Sequence, residues 1–163
     1  MTISPHTDAA PGGPAIDMTD LGYRYARGRE PALTELTLTL RPGTITGLLG
    51  RNGSGKTTLL SLISGLRRPT HGALAVAGRS AFDDNATMTA TAHLGGPRSL
   101  IEDSPVRRSL ELWAATRPGW DAQEAARLMD RFEVPLRTRP SRMSLGQRSA
   151  LDAVLALACH CPV

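Results

Sequence analysis

The sequence predicts an α/β fold that joins an antiparallel β subdomain and a strand–loop–helix core to a small helical subdomain. Three observations predict it. Leu36, Leu38 and Leu40 alternate with Thr37 and Thr39, the period-two pattern of a half-buried strand. Thr44 to Leu49 is a short, mostly apolar run leading into a glycine-rich stretch, after which Leu59, Leu60, Leu62 and Ile63 recur at helical spacing. From Pro105 the period changes to that of amphipathic helices.

Taken in order, residues 1–14 (MTISPHTDAAPGGP) are small, polar and broken by Pro and Gly, and read as a flexible tail. Residues 15–163 then form the folded part. Ile16 to Tyr25 and Leu33 to Leu40 are strands, Arg41-Pro42-Gly43 is a turn, and Thr44 to Leu49 is a third strand. A loop from Gly50 to Gly55 opens a helix over Lys56 to Leu66, which Gly65, Arg67, Arg68 and Pro69 end. Ala73 to Ala77 is a small strand before a polar stretch around Asp83 to Asn85. The helical subdomain covers about residues 97–145. Its first helix carries Val106, Leu110, Trp113 and Ala114 on one face and is closed by Pro118-Gly119; its second runs from an Asp121 cap to Phe132, with Ala125, Leu128, Met129 and Phe132 apolar. Pro135 to Arg142 is a basic connector, and Ser144 starts a third helix carrying Leu151, Val154, Leu155 and Ala158.

Composition bounds the function. With 163 residues the chain is one domain's worth of sequence, short for a complete nucleotide-driven enzyme. Its 40% hydrophobic and 21% charged residues belong to globular rather than disordered chains. No apolar run is long enough to span a membrane and no signal peptide is recognisable, so a cytoplasmic location is expected. A net charge of +4 permits a nucleic-acid partner, but the Arg residues are scattered and there are only six aromatics (two each of Trp, Tyr and Phe), so direct nucleic-acid binding is not expected. Cys159 and Cys161 flank His160 without further ligands at metal spacing, and read as reduced thiols rather than a zinc site.

The chemistry lies in Gly50-Arg-Asn52-Gly53-Ser54-Gly55-Lys56-Thr57, which satisfies G-x-x-x-x-G-K-[ST] after an apolar strand and before an amphipathic helix. Such a Walker A loop, or P-loop, curls backbone N–H groups around phosphate oxygens, and the helix N-terminus adds its positive dipole end. Lys56 then reaches the outer phosphates, and the Thr57 hydroxyl takes a place on Mg²⁺. Lys56 is the single Lys among 19 basic residues. A compact ammonium fits a phosphate cradle where a planar guanidinium does not, whereas a merely solvated residue at a helix start would be indifferent to the exchange.

Further on, Met143-Ser144-Leu145-Gly146-Gln147 opens the third helix. This resembles the LSGGQ signature of ABC-type ATPases. Together with Gly47 to Leu60 (GLLGRNGSGKTTLL) it makes nearly all of residues 15–163 similar to the N-terminal part of an ABC transporter nucleotide-binding domain. The resemblance implies ATP and Mg²⁺ as ligands, held by Gly50, Asn52, Gly53, Ser54, Gly55, Lys56, Thr57 and Thr58, with Thr57 on the metal. It implies Tyr25, or failing that Tyr23, as the aromatic that stacks on adenine. It also implies that Ser144, Gly146 and Gln147 close over ATP bound to a second nucleotide-binding domain, so that the working unit is a dimer. Ser144 and Gln147 equally suit an N-cap and a first-turn residue, and both roles can coexist. A membrane-spanning permease is the implied partner, which would place the chain peripherally on the cytoplasmic face of the membrane.

Two parts of the family pattern are altered. Gly96 stands where the family has a Gln that touches Mg²⁺ and couples to the permease. The sequence also ends at Val163, where the family continues into the Walker B strand with its Asp-Glu pair, and the switch His further downstream is absent. The reading is therefore of a domain truncated at its C-terminus, with no catalytic residue identified and turnover by the chain alone not expected. Two alternatives stand beside transport: a non-catalytic truncated remnant, and an ABC-type ATPase that does not work in transport.

Overall fold

The computed structural model describes residues 2–5, 13, 15–28, 30–94 and 100–161. They fall into two compact units, Met1–Met88 and Thr89–Pro162.

The first unit holds strands β1 (Thr2–Pro5), β2 (Ile16–Tyr23), β3 (Leu33–Leu40), β4 (Thr46–Leu49), β5 (His71–Val76) and β6 (Arg79–Ser80), with helix α1 (Lys56–Ile63). A second helix, α2 (Asn85–Ala90), starts at its C-terminal end. Four strands make an antiparallel sheet in the order β3-β2-β5-β6. The register pairs Met18 with Leu38 on one side and with Leu74 on the other. Ile16 and Met18 thereby point the same way and join Leu21, Leu33, Leu59, Leu62, Leu74, Val76 and Ala81 in one core. The pattern shifts between Met18 and Leu21, where Asp20 takes a φ of 50° and its N–H donates to Thr37 Oγ1 at 3.0 Å. Such a bulge kinks the strand and demands room opposite. Gly72 supplies it, since a Cβ there would lie 2.1 Å from the Asp20 carbonyl oxygen.

The tail reading of residues 1–14 is corrected in part. Thr2–Pro5 pairs antiparallel with β4, with Thr2 opposite Leu49 and Pro5 opposite Thr46. A short strand with open ladder positions is a template for any extended segment, and Pro5, which has no N–H to donate, closes the pairing. All strand pairings among the described residues are antiparallel, so the parallel neighbour that a doubly wound core implies for β4 is not among them. Several boundaries move by a few residues: the helix read as Lys56 to Leu66 ends at Ile63, and β6 and α2 flank the polar stretch around Asp83 to Asn85. Asp84 accounts for both, because it takes an N–H from Thr87 at 2.8 Å and a guanidinium bond from Arg79 at 2.8 Å. Its carboxyl is held well below the usual carboxylate range, first by Arg79 and then by the Thr87 N–H.

The second unit is helical, with α3 (Val106–Thr116), α4 (Ala122–Arg131), a short 3₁₀ turn at Pro140–Arg142 and α5 (Leu145–Ala158). Asp121 caps α4 by accepting from the N–H groups of Gln123 and Glu124. The core comprises Val106, Trp113, Ala125, Leu128, Met129, Leu151, Val154, Leu155 and Ala158 among others. Although the helical layer reads as ending near residue 145, α5 shares this core, because its apolar positions recur at i, i+3, i+4 and i+7. Two expected core positions move out. Ala114 is exposed, while Ser109 is buried on α3 in its stead, satisfied by the Ile101 N–H at 3.2 Å. Phe132 is 39% exposed because the helix has already ended there, at its C-cap. Cys159 and Cys161 are free thiols with sulfurs 2.9 Å apart, and burial, ahead of the Cys159 contact, pushes the Cys161 thiol up to about 12. No helix of the described residues is long and apolar enough to cross a membrane.

Candidate nucleotide-phosphate site

The site is built where β4 hands over to α1. The chain must reverse into the helix within six residues, and it does so through Gly53 at φ 84° and Gly55 at φ 89°. Both are left-handed conformations that cost a side chain free energy. Gly55 is doubly required, since a Cβ there would sit 2.6 Å from the Ala32 carbonyl oxygen. Gly53, by contrast, faces open space. Gly55 occupies the N-cap position of α1 and offers no side-chain cap, so the first N–H groups of the helix keep their capacity for an external acceptor.

Lys56 folds back over this loop. Its Nζ donates to the carbonyls of Gly50 at 2.7 Å and Arg51 at 2.8 Å, which uses two of its three protons and holds the ammonium against the loop. Ser54 Oγ is buried and has no hydrogen-bond partner among the described residues. A buried hydroxyl left unpaired carries a free-energy cost that an incoming acceptor relieves. Thr57 is exposed, its carbonyl taking the Ser61 hydroxyl at 2.7 Å, and Asn52 is exposed as well. Thr58 is buried, and its Oγ1 shares a hydrogen bond of 2.9 Å with the Tyr25 hydroxyl. That bond ties the aromatic to the phosphate loop, a contact the sequence reading missed because nothing in spacing links residues 33 apart.

Tyr25 leaves the end of β2 with 39% of its surface exposed. It meets Tyr23 edge to face with centroids 5.0 Å apart. The Arg67 guanidinium lies 5.0 Å from the Tyr25 centroid and donates from Nη1 to the Tyr23 hydroxyl at 3.1 Å. Both rings are held by a hydroxyl bond and by Arg67, and Tyr25 is the more accessible of the two.

Ser144, Gly146 and Gln147 belong to the second unit. Ser144 Oγ accepts the Gln147 N–H at 3.2 Å, and Gln147 Oε1 accepts the Ser144 N–H at 3.0 Å, a reciprocal capping box. A Cβ at Gly146 would meet nothing closer than Ser144 Oγ at 4.0 Å, and Leu145 is 82% exposed. Within the unit, then, packing accounts for neither residue. Glu102 is bound by the Arg148 guanidinium, with Nη1 at 3.0 Å from Oε2. Gly96 lies outside the described residues. No cluster of three or more His, Cys, Asp or Glu side chains suited to a metal occurs among the described residues.

Comparison with known proteins supplies context. Residues 33–163 match the family model described as ABC transporter. The methionine import ATP-binding protein MetN of Cereibacter sphaeroides is 56% identical over 70 residues, covering 41% of this chain and 20% of the relative. The mycobactin import ATP-binding/permease protein IrtB of Mycobacterium tuberculosis is 39% identical over 79 residues, 48% of this chain and 13% of the relative. The chain thus spans about a fifth or less of the length of these relatives. Among solved structures, an ATP-binding subunit of an ABC transporter superposes with a TM-score of 0.69 at 25% identity, covering 86% of this chain and 60% of the other. The dimeric bacterial ABC transporter cassette MJ0796 gives 0.71 at 22% identity, covering 88% and 69%, a likeness of fold.

Proposed function

Because the chain belongs to the ABC transporter family, we propose that its phosphate loop binds ATP together with Mg²⁺ and that the protein serves as the nucleotide-binding part of a transporter powered by ATP hydrolysis. The observation that carries this reading is the loop itself, where a left-handed Gly55 opens α1, Lys56 Nζ rests on two loop carbonyls and Ser54 Oγ is buried without a partner. The donor set fits a polyphosphate, since it offers N–H groups, an ammonium and hydroxyls in one concave turn. Lys56 moves from the carbonyls to phosphate oxygens, Thr57 offers its hydroxyl to the metal, and Thr58 and Ser54 donate to the chain of phosphates. The metal supplies neutralisation of charge on the outer phosphates when bound.

Tyr25 stacks on the adenine. Ser144, Gly146 and Gln147 act on nucleotide held by a second nucleotide-binding domain, and the exposure of Leu145 and the bare Gly146 support a surface used by another chain. A membrane-spanning permease would hold the protein at the cytoplasmic face. The test is titration of the chain with Mg–ATP. Lys56→Ala is expected to weaken binding by about a hundredfold or more, as loss of a charge-assisted contact in a confined site does, with helical content by circular dichroism unchanged. Undiminished binding in that variant would refute the proposal.

A further inference from the structure

We propose that Arg67 is a positioning residue for nucleotide binding, which fixes Tyr25 as a one-faced platform for the base; this rests on the assignment of Tyr25 to adenine stacking. Tyr25 lies at the exit of β2, more than a third exposed, where a tyrosine ring would otherwise sample several orientations. Three contacts restrain it. Its hydroxyl is tied to Thr58 near the start of α1. Its edge meets Tyr23 at an interplanar angle of 89°. The Arg67 guanidinium stands 5.0 Å from its centroid, within reach of a cation–π contact.

Arg67 is itself fixed from two sides. Its backbone N–H donates to the Ser61 carbonyl at 3.2 Å, anchoring it to the C-terminal end of α1. Its Nη1 donates to the Tyr23 hydroxyl at 3.1 Å, while the same guanidinium lies 5.7 Å from the Tyr23 centroid. The two ends of α1 thus hold one ring, Thr58 by the hydroxyl and Arg67 by the face. With a cation on one face, a single face remains for an electron-rich purine, and the ring reaches the ligand already ordered. The planar fork is what the job needs, because one guanidinium both stacks and donates along its edge; an ammonium does one or the other.

The experiment compares two ligands by calorimetry on the full 163-residue chain: Mg–ATP, and magnesium tripolyphosphate, which has the phosphates without a base. Arg67→Ala is expected to weaken ATP binding by about tenfold, the scale of one base–aromatic stack, and to leave tripolyphosphate binding within about twofold. Arg67→Lys should fall between, and Tyr25→Ala should lose at least as much for ATP as Arg67→Ala. The double variant Tyr25→Ala/Arg67→Ala should bind ATP no more weakly than Tyr25→Ala alone, because Arg67 acts through that ring. If Tyr25→Ala binds ATP as the parent does, the base-platform reading falls, and the proposal with it. If Tyr25→Ala is impaired while Arg67→Ala and Arg67→Lys are not, the platform stands and the role of Arg67 is refuted. Equal loss of ATP and tripolyphosphate in Arg67→Ala would also overturn it, by showing a direct phosphate contact or general damage to the loop.

Discussion

The phosphate loop and the N-terminus of α5 are both glycine-containing turns into a helix, yet they are built on opposite principles. At α5 the polar residues satisfy one another, with Ser144 and Gln147 closing a capping box that serves stability whether or not a ligand arrives. At α1 the N-cap is a glycine with no side chain to offer, and Ser54 Oγ is buried without a partner. The loop adopts conformations that glycine alone takes without penalty, and it holds an unsatisfied hydroxyl. The difference teaches that local hydrogen bonding accounts for Ser144 and Gln147 within the chain, whereas the phosphate loop leaves a buried hydroxyl and the first helical N–H groups open to an external acceptor.

That contrast can be broken most sharply at Gly55. Gly55→Ala forces an alanine into a left-handed conformation and against the Ala32 carbonyl, which should destabilise the chain by about 1–3 kcal/mol and cost ATP binding as well. Gly53→Ala has the same sign of φ but open space around the new Cβ, and should be the milder of the two in urea unfolding. Equal effects would mean that steric approach plays no part in shaping the loop.

At α5 the expected order is reversed. Ser144→Ala removes a cap and should cost about 1 kcal/mol by the same measurement, while Gly146→Ala, meeting nothing nearer than 4.0 Å, should raise stability by up to about 1 kcal/mol as helical Gly-to-Ala exchanges do. A destabilising Gly146→Ala would show that the turn is strained after all.

The smallest effect concerns acid. Asp84 has its carboxyl lowered from 3.8, chiefly by Arg79, so its charged form is favoured in the folded state. Its contribution is complete above the ordinary carboxylate range and is lost as pH falls toward the lowered value. The melting temperature of Asp84→Asn should therefore decline less between about pH 5 and pH 2 than that of the parent. Parallel acid limbs would show that the Arg79 pair contributes nothing.

These expectations also show where sequence is informative. Leu33 to Leu40, the Asp121 and Ser144 caps and the loop from Gly50 to Thr57 were all legible, because period two, capping chemistry and a fixed glycine spacing are local signals. What escaped was non-local. The pairing of Thr2–Pro5 with β4 depends on a free strand edge rather than on the composition of the segment. The grip of Arg67 on Tyr25 spans 42 positions and has no periodic trace. Ala114 and Ser109 exchanged places because a buried hydroxyl found the Ile101 N–H, which hydrophobic periodicity does not register.

The central claim is that the glycine-rich turn binds triphosphate through its backbone while the α5 turn, in a single chain, does not. Amide NMR shifts during titration with Mg–ATP test it directly. The account predicts large shifts at Gly53, Gly55, Lys56 and Thr57, abolished in Lys56→Ala, with Ser144, Gly146 and Gln147 unmoved at concentrations where the chain is monomeric. Shifts confined to the α5 turn, or an unperturbed loop at saturating ATP, would contradict it.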